Sequence, residues 1–246
     1  MQYFVTVNGL AVHAEYDDSD IREIFLPLLR RWSERQRQAG KRLVVFLAAP
    51  PAAGKSTLAG FLEMLSRQEN DLVPLQAVGM DGFHRRQDDL LSHTTVRDGK
   101  EIPLVEIKGA PITFDLPALR RHLELLHTQD VVLWPQYDRL LHNPVPDAIR
   151  ADGEIILVEG NYLLLDLPGW SDLSVLADDT VSLQADPELL RRRLVARKIA
   201  SGTAPKKAAA FVEFSDLANA RLCLAHTKSA ALRLQISENG RYTVIE

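Results

Sequence analysis

From Leu43 to Leu65 the chain reads Leu-Val-Val-Phe-Leu-Ala-Ala49-Pro-Pro-Ala-Ala-Gly54-Lys55-Ser56-Thr57-Leu-Ala-Gly-Phe-Leu-Glu-Met-Leu. An apolar run fit for a buried strand gives way to a turn of small residues. A segment with helical apolar spacing follows at once. Strand, loop and helix in this order, with Gly-Lys-Ser at the junction, predict a phosphate-binding loop. Backbone N–H groups of Pro51 to Thr57, proline excepted, and the positive end of the helix would converge on anionic oxygens. Pro51, Ala52, Ala53, Gly54, Lys55, Ser56 and Thr57 are therefore expected to hold a triphosphate. Lys55 would reach its outer phosphates, and the Ser56 hydroxyl would ligate magnesium. The usual pattern begins with glycine where this chain has Ala49. A methyl group is awkward there only if the position needs a glycine conformation, and Pro50 already biases Ala49 towards extended backbone.

Around this centre the pattern stays regular. Leu75-Gln-Ala-Val, Val131-Val-Leu-Trp134, Ile155-Ile-Leu-Val and Thr180 to Ala185 read as strands. Leu116, Leu119, Leu123 and Leu126 mark an intervening helix. Asp186-Pro187-Glu188 supplies an N-cap, a first-turn proline and an acid for another, reaching about Ser201, with a further helix from about Lys206 to His226. Strands alternating with helices predict an α/β domain with a parallel sheet covered on both faces. In front of it, residues 1–41 read as a hairpin turning at Asn8-Gly9 and a helix carrying Ile21, Ile24, Phe25, Leu28, Leu29 and Trp32. Pro27 should either kink that helix or begin it. Behind it, Ala231 to Ile236 and Tyr242 to Ile245 read as a closing hairpin. The expected organisation is one globular unit, residues 1–41 packed on a core of residues 42–246.

Composition narrows the function classes. The 246 residues are 46% hydrophobic and carry a formal net charge of -4. That balance offers no basic field for a nucleic-acid backbone. The lone Cys223 fits a reducing compartment, no secretion signal is evident, and no apolar run is long enough for a bilayer. A cytoplasmic protein without nucleic-acid or membrane partners is expected; the two terminal hairpins offer edges for a homodimer.

Two acids fall where strands of such a sheet deliver ligand-binding residues: Asp81 in Val78-Gly-Met-Asp81-Gly-Phe-His84, and Glu159 in Val158-Glu159-Gly160-Asn161. Phosphoryl transfer to an alcohol needs one carboxylate at the attacking hydroxyl and another in the magnesium shell. Asp81 suits the first role and Glu159 the second. His84 would either relay a proton or contact substrate, or simply pack.

In this order, these residues resemble the P-loop kinase family of uridine kinase, phosphoribulokinase and bacterial pantothenate kinase. The nearest likeness is to a bacterial branch of fructose-transport-system-kinase-like proteins. Met80-Asp-Gly-Phe-His84, Lys108-Gly-Ala-Pro-Ile-Thr-Phe-Asp115, Pro135-Gln-Tyr-Asp-Arg139 and Val158 to Leu165 carry the resemblance, which spans about Arg42 to Arg221. It implies a P-loop NTPase fold with a five-stranded parallel core, Mg2+ and ATP as cofactors, and a helical lid at about 187–221. Asp81 would be the base and, with Ser56 and Glu159, a magnesium ligand. His84, Lys108, Phe114, Tyr137 and Arg139 would border the substrate. In the lid, Arg193 would be catalytic and Arg197 would bind ATP, unless both belong to a solvated helix face; Arg221 is a further candidate for that charge. The resulting expectation is a kinase acting on a hydroxyl of a sugar, sugar phosphate, nucleoside or pantothenate-like metabolite. Arg85, Arg86 and Lys108 suggest an acceptor that already carries an anion. The competing reading is a nucleotide-responsive regulatory ATPase with no small-molecule acceptor.

Overall fold

The computed structural model describes residues 1–7 and 10–245. Its centre is a six-stranded sheet in the order β12-β11-β10-β3-β9-β4. The strands are β3 (Leu43–Ala48), β4 (Leu75–Gly79), β9 (Ile155–Gly160), β10 (Asp179–Ala185), β11 (Leu232–Ile236) and β12 (Tyr242–Val244). The first five run parallel, and only β12 is antiparallel to its neighbour β11. A five-stranded parallel core is thus present, but its membership differs from the sequence-based expectation. Leu232–Ile236, expected only as a hairpin arm, joins the parallel set. Val131 to Trp134, expected among the alternating strands, belongs instead to β7 (Val132–Asp138), which leaves the sheet and pairs antiparallel with β8 (Asn143–Ala151). Pro135 breaks that ladder at a register shift between Trp134 and Gln136, and Pro144 and Pro146 lie opposite. Proline cannot donate to a ladder, which suits a two-stranded ribbon and not a central strand.

Successive side chains of β3 point to opposite faces of the sheet. Leu43, Val45 and Leu47 enter one apolar core with Leu58, Phe61 and Leu62 of α3 (Lys55–Gln68). Val44 and Phe46 enter the other with Leu119, Leu123 and Leu126 of α5 (Leu116–Thr128), Trp134 and Tyr162. Both faces are therefore dry, and the central strands need no polar alternation.

The N-terminal ribbon, β1 (Gln2–Val7) with β2 (Leu10–Glu15), is antiparallel; its Asn8-Gly9 turn lies outside the described residues. Helical backbone then runs without a break over 18–39. It opens as α1 (Asp18–Asp20), widens into a π-helical turn at Ile21–Phe25, and continues as α2 (Leu26–Ala39). Pro27 lies in the first turn of α2, as one of the two expectations had it, although helical backbone already precedes it. The wider turn, in which Leu26 N–H bonds to Ile21 O, precedes the residue that cannot donate. Phe25 and Trp32 from this run are fully buried on the first core, beside Phe61 and Tyr242. Asp20 is buried, and its carboxylate accepts from Arg241 Nη2 at 2.9 Å and from Tyr242 N at 2.9 Å, tying this helix to the ribbon β11–β12.

Two smaller pieces follow β4: α4 (Gln87–Ser92) and the hairpin β5 (Thr94–Arg97) with β6 (Lys100–Pro103). The lid region consists of α6 (Pro187–Ala200), α7 (Pro205–Phe211), a π-helical turn Val212–Asp216 and α8 (Leu217–His226). The helix expected from Lys206 to His226 is present with that π turn at its middle. Among the described residues, no helix is long and apolar enough to cross a membrane.

Candidate active site

Strands β3, β4 and β9 end on one edge of the sheet, and the chain leaves each of them into a single cleft of about 1070 Å³. The loop after β3 is shaped by two left-handed residues, Ala52 (φ 65) and Gly54 (φ 99). Alternating backbone hands of this kind turn successive N–H groups inward to make an anion cradle. Gly54 meets the left-handed demand without strain, whereas Ala52 meets it at some cost. Ala49 is not among the left-handed residues; it is buried, with its N–H on Gly160 O at 3.2 Å, so the methyl at this departure strains nothing.

Ser56 Oγ donates to Glu159 Oε1 at 2.8 Å, and Lys55 Nζ stands 4.0 Å from Glu159 Oε2. Burial pushes the Glu159 carboxyl above its ordinary value, and Lys55 pulls it back only in part. A hydroxyl and a carboxylate side by side are hard-oxygen donors that fit Mg2+, which takes few protein ligands and completes its shell with phosphate oxygens and water.

Asp81 lies in the 3-10 turn Met80–Phe83 directly after β4. Burial would raise its pKa, but the charges of His84, Lys55, Arg139 and Arg197 together hold it below the ordinary carboxylate value. The glycine that follows is a steric requirement: a Cβ on Gly82 would collide with the carbonyl of Pro135. With Trp134 Nε1 donating to Gly79 O at 2.9 Å, this approach fixes the ribbon β7–β8 against the Asp81 turn.

His84 Nδ1 lies 2.9 Å from the Asp81 carbonyl, and its ring packs 4.0 Å from Phe114 and 5.1 Å from Tyr137. Burial lowers its pKa, so the ring is neutral at pH 7. His84, Lys108, Tyr137 and Arg139 all line the cleft. Phe114 does not. It is buried behind His84 and lines a second cavity of about 760 Å³ with Arg85 and Arg86. Arg85 is ion-paired to Asp89 and Arg86 to Asp88, one turn or less away. Neither arginine lines the cleft; Lys108 is the one of the three that does.

In the lid, Arg197 and Lys198 line the cleft together with Asp216 and Asn219. Arg193, expected to be catalytic, instead donates to the carbonyls of Ala52 and Ala53 at 3.4 and 3.3 Å and braces the phosphate loop from outside the cleft. Arg221 is turned outward, 3.9 Å from Glu213. The hairpin β5–β6 touches the lid through Arg97, whose guanidinium lies 4.3 Å over the Phe214 ring. Gln87, His142, Asn161, Lys198, Asp216 and Asn219 line the cleft and were not singled out from sequence. For Asn161 a signal existed, since it follows Glu159-Gly160; the others come from segments with no distinguishing pattern.

A parallel α/β sheet with a Gly-Lys-Ser loop at a helix start, opposed by two strand-end carboxylates under a helical lid, defines the P-loop class of nucleotide-dependent phosphotransferases. No family model matches the chain. It is 39% identical over 243 residues to the uncharacterised protein YggC of Escherichia coli, covering 98% of both chains. It is 30% identical over 166 residues to a candidate uridine kinase of Schizosaccharomyces pombe, covering 66% of this chain and 68% of that one. A candidate fructose transport system kinase from Silicibacter sp. TM1040 superposes with a TM-score of 0.74 at 33% identity, over 85% of this chain and 98% of its own. A candidate P-loop kinase of Saccharomyces cerevisiae with a circular permutation shares the fold at TM-score 0.69 and 18% identity, over 87% and 99% of the two chains. The chain belongs to the P-loop kinase family, in the branch that contains YggC.

Proposed function

We propose that the protein is an ATP-dependent kinase that transfers the γ-phosphoryl group to a hydroxyl of a small metabolite. The observation that carries this is the placement of Asp81: an ionised carboxylate in the same cleft as Lys55, which itself stands beside the Ser56–Glu159 pair, and next to a compartment walled by His84, Lys108 and Tyr137. An ATPase that only positions water has no need of such a compartment.

The loop Pro51 to Thr57 would bind the phosphates, with Lys55 on the outer pair. Ser56 and Glu159 would hold magnesium, whose chemistry is to neutralise charge on the phosphate oxygens. Asp81 would accept the proton of the acceptor hydroxyl as its oxygen bonds to the γ-phosphorus and the bond to the bridging oxygen of ADP breaks. Arg197 and Arg139, both facing Asp81 electrostatically, would stabilise charge on the transferring group. Arg193 would keep the loop in shape.

The test is ADP release, coupled to an indicator enzyme, with Mg-ATP and a panel of free sugars, sugar phosphates, hydroxy acids, nucleosides and pantothenate. Stimulation by one class, lost in Asp81→Asn while nucleotide binding persists, is the expected result. Slow ADP release that no acceptor alters, and that Asp81→Asn leaves intact, would overturn the reading in favour of a regulatory ATPase.

A further inference from the structure

Among the cations of the cleft, Lys108 differs from the rest. Lys55 stands beside Glu159, and Arg139 and Arg197 face Asp81 and Asp216 electrostatically. Lys108 sits on the side of the cleft formed by Gln87, Tyr137 and His142, on the short loop between the 3-10 turns Leu104–Ile107 and Pro111–Thr113. Its ammonium donates to Gln87 Oε1 at 2.8 Å and to His142 O at 2.9 Å and lies 4.9 Å over the Tyr137 ring. All three partners are neutral. Among the described residues no carboxylate comes within ion-pair distance of it. The side chain is half-buried, and desolvation alone pulls the amine down to about 8.

Two neutral acceptors on a three-donor ammonium fix its direction and leave one N–H unclaimed. A half-desolvated cation without a counter-ion is costly unless a ligand supplies one. The cation is also held at a defined place relative to the chemistry. Lys108 and His84 both pack on the Tyr137 ring, at 4.9 and 5.1 Å, and His84 in turn bonds the Asp81 carbonyl. A molecule spanning this wall would present one group to Asp81 and another to Lys108.

We propose that the acceptor is a small hydroxylated anion, and that Lys108 is the residue that selects it by binding its anionic group on the Gln87, Tyr137 and His142 side of the cleft. The inference rests on the kinase reading above and narrows its substrate to acids over neutral polyols and nucleosides. A single free donor suits one carboxylate oxygen better than a phosphate monoester, whose dianion calls for several donors. Carboxylate and phosphate acceptors are therefore separate arms of the test. The titratable groups around the ammonium are His84, Tyr137 and His142. Burial lowers His84 and raises Tyr137, so both keep their charge state between pH 7 and 9 while Lys108 loses its proton.

The experiment compares acceptors in matched pairs, each differing only in the anionic group: glycerate with glycerol, erythronate with erythritol, glucose 6-phosphate with glucose. kcat/KM is measured for the unaltered chain, Lys108→Met and Lys108→Arg, with thermal unfolding as the check on folding. The expected acid-to-neutral preference falls roughly 10- to 100-fold in Lys108→Met, the scale of one lost charge-assisted hydrogen bond, mainly through KM, and returns in part in Lys108→Arg. KM for the acid should also rise as the pH passes about 8, a dependence absent in Lys108→Met. Binding of the same acids is read in parallel by calorimetry with a non-hydrolysable ATP analogue. Lys108-dependent binding without turnover would preserve the anion site and sink the kinase reading. Turnover of neutral members as fast as their acids, indifferent to Lys108, would sink the anion site and preserve the kinase. Absence of any Lys108-dependent binding and turnover across all three pairs would overturn the proposal.

Discussion

At the phosphate-loop end of the cleft the polar groups are already engaged with one another: Ser56 on Glu159, Lys55 beside the same carboxylate, Arg193 on the loop carbonyls. At the Lys108 end they are not. Lys108 is held only by neutral groups, Gln87 Oε1 and the His142 carbonyl, and elsewhere in the cleft Arg139 Nε and Asn161 Oδ1 are buried with no hydrogen-bond partner. The first end is preorganised for a ligand that never varies, so its geometry can be set in advance and its charge balanced internally. The second keeps a cationic donor in reserve, and unmatched buried groups reject any ligand that fails to satisfy them. A kinase family can thus hold the nucleotide end constant while the other end changes its substrate.

The sharpest way to break this contrast is Asp81→Asn, which removes the proposed proton acceptor where the two ends meet. Acceptor phosphorylation should fall roughly 10²- to 10⁴-fold, the usual worth of a general base, with nucleotide affinity held. A single-turnover assay with direct nucleotide titration checks it. If kcat survives, the ends do not meet at Asp81.

The paired lid arginines sharpen the contrast next. Arg197→Ala should lower kcat by roughly 10²-fold, as for loss of one charge-stabilising donor. Arg193→Ala, acting only through the loop, should raise KM for ATP several-fold with kcat nearly kept. Steady-state kinetics with ATP varied separates them; equal kcat losses would place both in the cleft.

Backbone contact joins the ends, and Gly82→Ala tests it. The added methyl meets the Pro135 carbonyl, so the Asp81 turn and the ribbon must part. Overpacking of this kind costs about 1–3 kcal/mol, which lowers Tm by roughly 2–4 °C per kcal/mol in a chain of this size. An unchanged melting curve would contradict the contact.

The smallest expected effect concerns stability alone. Burial raises the folded pKa of Glu159 above its unfolded value, so the ionised form opposes folding above that pKa, and the opposition fades as acid protonates the group. Glu159→Gln keeps an oxygen for Ser56 and removes the charge. It should therefore melt slightly higher than the parent at pH 8, with the gain shrinking towards pH 5, while magnesium-dependent turnover is lost. Calorimetry across that pH range without nucleotide reads it, and a destabilised variant would reverse the sign assigned here.

What sequence revealed, and what it hid, follows the same division. The phosphate loop, Asp81 and Glu159 were legible because their chemistry is local: a few adjacent residues, each at a strand end, fix the geometry. Arg193 and Arg197 were not distinguishable, since residues four apart share one helix face and only the tertiary fold decides which meets the loop and which the cleft. Val132–Asp138 misled for a related reason, because a ribbon strand and a sheet strand have the same two-residue period. Phe114 sits within a motif that borders the cleft, yet its side chain turns to the far side of His84. Lys108 could be suspected from sequence; that it lacks a counter-ion could not, because that depends on Gln87 and His142, 21 residues before it and 34 after.

The clasp of Asp20 on Arg241 and Tyr242 also bears on how the molecule is made. A chain emerging from the ribosome presents Phe25 and Trp32 long before Tyr242, the ring that packs against Phe25, has been synthesised. The sheet, too, lacks β11 and β12 until the end. The N-terminal helix can meet Phe61 early, but the part of its apolar stripe that Tyr242 covers stays open to chaperones and to mispairing until some 220 later residues arrive. Contacts of such sequence separation form slowly and close cooperatively. For this protein, birth order and assembly order run in opposite directions: the first helix made is among the last parts to be finished.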